Sequence, residues 1–408
     1  MYRGRTIVWL ALACAGLDTG AKASEWGELK GSLGQQVLYN DNIQLNPTQK
    51  QPVFGYILTP SAQASHQAET FDISLNAQGN IRRYDHSLWD CEGYNLGLRT
   101  RYKTRRSVFT MTGGYGVSCA YAQQAQQTGV VIPGAQATSY NLTPSWAWQW
   151  TPRSQLTLGA AYTNRSYGGG SASAAAGTGS TGYSDYDSYT LNLGLGHAWS
   201  RDLSLTGGVY FMRNQYAGAS GSTQTLYGFQ LGGAYVISQH WTAKVEGGLR
   251  MADIQQNTVA GALSTANSSS LGTTANINVS YNDRLNHFST VYTNMATPSS
   301  IGQTLQTQTV SANYAHQLAP HLSWNTNGSF SHSQAIASPS AIATANASST
   351  YDRDYFTAST ALVWEFARDW KLTGSYAYRW QKYKQQANSA DSNAVMLSLN
   401  YAWDGVED

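Results

Sequence analysis

Phe71-Asp72-Ile73-Ser74-Leu75-Asn76-Ala77-Gln78-Gly79-Asn80-Ile81-Arg82 alternates without a break: Phe71, Ile73, Leu75, Ala77, Gly79 and Ile81 share one face, and Asp72, Ser74, Asn76, Gln78, Asn80 and Arg82 the other. A period of two with one greasy and one wet side is the signature of a strand facing two different media. The same pattern recurs to the end of the chain, where Val395, Leu397, Leu399, Tyr401 and Trp403 are interleaved with Met396, Ser398, Asn400 and Ala402. A chain written this way predicts an all-β fold, a transmembrane antiparallel up-and-down β-barrel.

A soluble sandwich also alternates, and the N-terminus separates the two. Arg3 and Arg5 precede an apolar run from Thr6 to Leu17, and Ala21-Lys22-Ala23 has the small-x-small form of a cleavage site. Residues 1–23 therefore read as a signal peptide, with Cys14 leaving in it, residues 24–403 as the barrel and 404–408 as a short periplasmic tail. No window approaches the ~20 apolar residues of a membrane helix. Composition fits the outer membrane: charged residues are 12% of the chain and aromatic residues also 12%, with 27 Tyr and 13 Trp. That is about half the usual charge for a soluble domain, and the aromatic excess suits interfacial girdles.

Short turns are predicted near 67–69, 103–106, 151–154, 200–202, 238–240, 282–285, 317–320 and 367–369. Between them lie longer segments rich in Ser, Gly, Ala and Asn, at 40–51, 86–90, 123–137, 168–187, 218–223, 257–270, 298–303, 336–352 and 386–391. Short turns belong to the periplasm and long loops to the exterior, so eight turns and nine loops give about eighteen strands with both termini in the periplasm. Pro60 and Pro144, in matching Leu-Thr-Pro-Ser stretches, are expected at bulges or rims.

Sorting by face puts Tyr140, Leu142, Trp146, Trp148 and Trp150, and equally Tyr227, Phe229, Leu231, Tyr235 and Ile237, on the lipid side. The inner face carries Asn, Gln, Ser and Thr. Its basic residues are Lys30, Arg82, Arg99, Arg101, Arg165, Lys244, Arg250, Lys371 and Arg379, against Asp72, Glu246 and Glu365. The lumen is expected to be wet and positive, and a low-dielectric wall focuses such a field onto anions.

Cys91 and Cys119, left as an even pair in an oxidising compartment, are equidistant from Arg105 and so a candidate disulfide. Strict alternation sets them on opposite faces, and a bulge near the external rim would reconcile them. The eight His residues are scattered. Asp85-His86 is the one acidic neighbour pair at an external end, and Ser331-His332-Ser333 lacks an evident acidic partner, so no catalytic set is expected. Neither a metal-ligand spacing, a cofactor motif nor a basic nucleic-acid patch is present in the sequence.

Gly34 to Asn42 (GQQVLYNDN), the Leu-Thr-Pro-Ser repeats, the Trp-rich turns and the ending Asn393 to Tyr401 resemble the β-barrel porin type 2 family. That resemblance implies an outer-membrane barrel, related in several bacteria to exopolysaccharide export. The expected partners are then outer-membrane lipid, a periplasmic polysaccharide export protein with its polymer, and the barrel-assembly machinery, whose recognition signal Val395, Leu397, Leu399, Tyr401 and Trp403 resemble. On this basis a polysaccharide conduit is expected. The alternatives are a general diffusion porin for small anions or sugars and a closed structural or adhesive barrel. A dedicated porin commonly folds a charged loop inward, and none of the Ala/Ser/Gly-rich loops carries such a charge cluster.

Overall fold

The computed structural model describes residues 27–168, 183–217, 222–256, 266–336 and 351–404; the expected signal peptide and the last residues of the tail lie outside them. Within the described residues, strands from β1 (Glu28–Asn40) to β18 (Ala390–Asp404) form one 18-stranded antiparallel sheet in which each strand pairs with its sequence neighbours. β1 also pairs with β18, from Lys30 opposite Asp404 to Asn40 opposite Ala394, which closes the sheet and leaves no edge. The connections alternate between short and long as the turn chemistry requires. At 283–285, for example, Asp283 accepts from the Tyr281 hydroxyl and from the backbone N–H groups of Leu285 and Asn286, and its carboxyl is held well below the usual range by those bonds.

The outer surface is the apolar one. Leu75, Leu96, Leu193, Val209, Leu231 and Leu249 are exposed at mid-strand. Tyr39, Phe54, Tyr94, Tyr140 and Tyr189 ring the external end, with Trp150, Trp199, Trp364 and Trp403 at the periplasmic end. An exposed apolar band between aromatic girdles is stable only in lipid, and the barrel belongs to the outer membrane. On the opposite face, Asn76, Asn95, Asn141 and Asn192 remain exposed at mid-strand, so the interior there is a hollow, polar bore. A Leu193→Arg change should therefore cost roughly 2–4 kcal/mol, and Asn192→Arg, one residue away on the bore side, far less; denaturant unfolding in vesicles measures both.

The proline expectation is corrected. In β2 (Val53–Gln67) and β6 (Gln136–Thr151), Pro60 and Pro144 sit in mid-strand. The ladder to the following strand skips them without shifting register, running from Leu58/Ile81 to Ser61/Gln78 and from Leu142/Tyr162 to Ser145/Gly159. Opposite Pro60 stands Gly79 in β3 (Phe71–Tyr84), where a Cβ would lie 3.1 Å from the proline ring, so the missing side chain admits the ring. Register shifts occur instead at periplasmic strand ends, such as between Gln317 and Ala319.

Candidate functional site: a constriction in the bore

The external half of the bore is filled by chain. After β5 (Ser107–Cys119) the polypeptide turns inward as helix α1 (Ala120–Gln127), and it regains the wall only at β6. Two features start this turn. Cys119, the helix N-cap, is bonded to Cys91 at the external end of β4 (Cys91–Lys103). Tyr121 then enters a buried cluster with Trp89, Tyr84, Ile43 and Val53, its ring meeting Trp89 edge-on at 5.4 Å. The β4–β5 ladder ends at Tyr94 opposite Val117, while Cys119 still pairs with Gln136 on β6; this end of the ladder, rather than a bulge within it, lets the two cysteines meet.

The far end of the segment is fastened across the bore. Gln124 Nε2 donates to the Tyr167 hydroxyl on β7 (Ser154–Gly168) at 3.1 Å, and Ser300, in the connection after β13 (Asn286–Pro298), bonds Gln124 Oε1. On β16 (Asp352–Ala367), Arg353 donates from Nη2 to the Ala125 carbonyl at 2.6 Å and from Nη1 to that of Gln126 at 2.8 Å, which satisfies carbonyls the short helix leaves open. Its Nε donates to Gln381 on β17 (Trp370–Tyr383), and its Cζ lies 4.5 Å from the centre of the Tyr355 ring. The Tyr351 and Tyr383 hydroxyls both donate to the Thr128 carbonyl. Gly129, at φ 71°, could carry no Cβ, since Tyr383, Gln381 and Arg353 atoms would all lie within 2.7 Å of it. β14 (Thr304–Ala319) is nine places from β5 in a ring of 18, diametrically opposite, so a segment tied near the β13–β14 connection and at β16–β17 crosses the bore.

Two further connections fold in beside it. Leu45, after β1, packs with Tyr355 and Ala390 and accepts from Gln381 Nε2. After β13, Ser299 N–H donates to the Tyr216 hydroxyl, and Thr304 is bonded by Asn214 and Gln224. A loop therefore does fold inward, and, as the sequence reading had it, it carries no charge cluster. The charges that face the segment come from the wall, not from the loop.

All the basic residues assigned to the lumen from the sequence stand on the inner face, but in two sets. Lys30, Lys244 and Lys371 lie toward the periplasm beside carboxylates, with Nζ at 2.6 Å from Glu28, 3.0 Å from Glu246 and 2.7 Å from Glu365. These are half-exposed pairs of small worth that cancel one another's field. Arg99 and Arg101 are exposed in the same half. Near the external ends stand Arg82, Arg165, Arg250 and Arg379, joined by Arg353, which the sequence reading assigned to no face. Among the described residues none of these has a carboxylate within ion-pair distance. Arg82 donates to Asn80 Oδ1 and the Tyr121 hydroxyl, Arg165 to Gln123, and Arg379 to Ser392.

His332 gains the acidic partners that its neighbours in sequence lack: Nδ1 lies 2.7 Å from Asp354 and 3.7 Å from Asp352. Alternation sends Ser333 to the other face, where its hydroxyl bonds Thr307, so no Ser-His-Asp set is assembled there. At the C-terminal end, Val395, Leu397 and Trp403 are exposed on the lipid face of β18, and Tyr401 meets Trp370 at 4.9 Å.

No family model matches the chain, and no curated protein matches it. Among solved structures it is similar to the ferric citrate transporter FecA in its unliganded form, with a TM-score of 0.51 and 8% identity over 92% of this chain and 79% of that one. It is similar also to Pseudomonas aeruginosa OpdL, with 0.44 and 11% over 93% and 99%, and to P. aeruginosa OccK2 (OpdF) in complex with glucuronate, with 0.45 and 11% over 94% and 99%. The likeness is one of fold: an outer-membrane β-barrel. The narrower label of the type 2 family has no family model behind it.

The disulfide should stabilise the barrel by about 2–4 kcal/mol and anchor the near end of the inward segment. Cys91→Ser combined with Cys119→Ser should lower the denaturant midpoint accordingly and broaden the distribution of single-channel conductances. An unchanged midpoint with a single sharp conductance level would contradict both effects.

Proposed function

We propose that the protein is a diffusion channel that favours small anions, its passage narrowed by the segment 120–135. The observation that carries this reading is the charge at the constriction. Arg82, Arg165 and Arg353 bond the segment that fills the bore, Arg250 and Arg379 stand in the same external half of the inner wall, and the carboxylates of the inner wall pair with lysines below. In a narrowed, low-dielectric passage an unpaired cation repels other cations and raises the local concentration of anions. A polysaccharide conduit, the main expectation from the sequence, is disfavoured by the same segment. A polymer strand would have to displace chain that is covalently anchored at Cys119 and bonded at Tyr167, Ser300 and Arg353. One fold neighbour, FecA, is named a transporter, which supports a transport role.

Swelling of liposomes containing the purified protein tests the reading. Gluconate should enter faster than glucose, which has nearly the same size, by about tenfold at low salt. Equal or slower entry of gluconate would refute it.

A further inference from the structure

The arginines of the constriction differ in what they hold. Arg353 spends its donors on the helix carbonyls and Gln381, and Arg82 and Arg165 reach the inward segment through Tyr121 and Gln123. Arg250 holds none of the segment. It stands on β11 (Trp241–Gln256) between Gly228 of β10 (Ser222–Val236) and Gly272 of β12 (Ala266–Asn282), which face it in register. Its Nη2 lies 2.5 Å from where a Cβ on Gly272 would be, so the wall is cut back to backbone around the guanidinium. Arg250 is only 5% exposed, yet Nε and Nη1 have no acceptor among the described residues. A buried guanidinium without a counter-charge is costly, and the wall offers it none.

Its neighbours offer hydrogens too. Ser270 faces Ala252 across the same ladder, one inward position beyond Gly272, and its hydroxyl is buried without a partner among the described residues. On β9 (Leu203–Tyr216), Tyr210 lays its ring over Gly228, with its hydroxyl 2.6 Å from the Cβ position there. A guanidinium and two hydroxyls that can donate, with no carboxylate paired to Arg250 among the described residues, suit an oxyanion, whose oxygens each accept more than one hydrogen bond.

We propose that Arg250, Ser270 and Tyr210 form a binding site for the carboxylate of a small organic acid passing through the bore. This rests on the channel reading and deepens it: Arg82, Arg165 and Arg353 fasten the constriction, and Arg250 keeps donors free for the solute. The planar guanidinium matches a carboxylate, which takes two donors side by side, better than it matches chloride.

The test is block of chloride current by acetate in planar bilayers holding the full chain, with acetamide as the neutral control and phosphate as the competing oxyanion. Acetate should reduce the current and acetamide should not. Arg250→Gln should raise the half-blocking acetate concentration about tenfold and Ser270→Ala about threefold, with conducting pores present in both. Arg250→Lys, which keeps the charge and loses the fork, should weaken the block severalfold. Unchanged acetate block in Arg250→Gln pores that still prefer chloride would overturn the site and leave the channel reading standing. Phosphate block equal to that by acetate and equally dependent on Arg250 would overturn the carboxylate assignment. A wild-type pore that prefers potassium would overturn the channel reading itself.

Discussion

Arg353→Ala should raise single-channel conductance severalfold and make the current noisy, because it unfastens the far end of the segment that crosses the bore. Arg353 is 1% exposed and donates to Ala125, Gln126 and Gln381. Its removal strands two buried acceptors, on Ala125 and Gln381, at about 1–3 kcal/mol each when left unmade, and a part-exposed one on Gln126. The remaining ties at that wall are the Tyr351 and Tyr383 hydroxyls on Thr128, ordinary bonds worth about 1 kcal/mol each. The balance then favours release, and a released segment gives back the width of an 18-stranded barrel. Tyr383→Phe, which deletes one of the weaker bonds, should change conductance far less. Bilayer recordings of the two variants decide the matter, and an unchanged Arg353→Ala pore would mean that the segment is held by its disulfide and aromatic cluster alone.

The second large effect concerns selectivity. Replacing Arg82, Arg165 and Arg250 together by Gln should bring the chloride-to-potassium permeability ratio close to unity, a fall on the order of tenfold. Replacing Lys30, Lys244 and Lys371 in the same way should leave the ratio within about twofold. Two unit charges ~5 Å apart interact by about 3 kcal/mol at an effective dielectric constant of 20, so a few unpaired cations at a narrow point outweigh several already paired ones in an open bore. Gln is preferred to Glu because a buried carboxylate without a partner would threaten assembly. Comparable losses in the two triple variants would show that charge anywhere on the wall suffices.

What was legible in the sequence was whatever obeys the period of two. Each strand of a hollow barrel meets lipid on one side and water on the other, so Leu193 beside Asn192 already carries its address, and the inward basic residues follow from the same rule. The irregular parts were hidden. The segment after Cys119 is Ala- and Gln-rich and uncharged through the helix, and in composition it resembles the exposed loops. Its buried set, Ala120, Tyr121, Gln124 and Ala125, has helical rather than strand spacing, which was the available signal. Arg353 was lost beside the loop that precedes β16, where Asp352 and Asp354 flank it. Another clue stood in plain view: Arg82-Arg83-Tyr84, Arg165-Ser166-Tyr167 and Arg353-Asp354-Tyr355 each put Arg and Tyr two positions apart, on one face of a strand at its external end. The ring centres of Tyr167 and Tyr355 lie 5.4 and 4.5 Å from the guanidinium two residues before them. The cysteines illustrate the opposite limit. Strict alternation separates their faces, and only the place where the β4–β5 ladder stops, which depends on how the rim packs, brings them together.

The reversal potential of the wild-type pore under a tenfold gradient of potassium chloride tests the central claim most directly. An arginine-lined constriction requires chloride to permeate several times faster than potassium at low salt, with the preference fading as the screening length falls from ~10 Å at 0.1 M to ~3 Å at 1 M. A reversal potential of the opposite sign, with potassium preferred in an open pore, would contradict it.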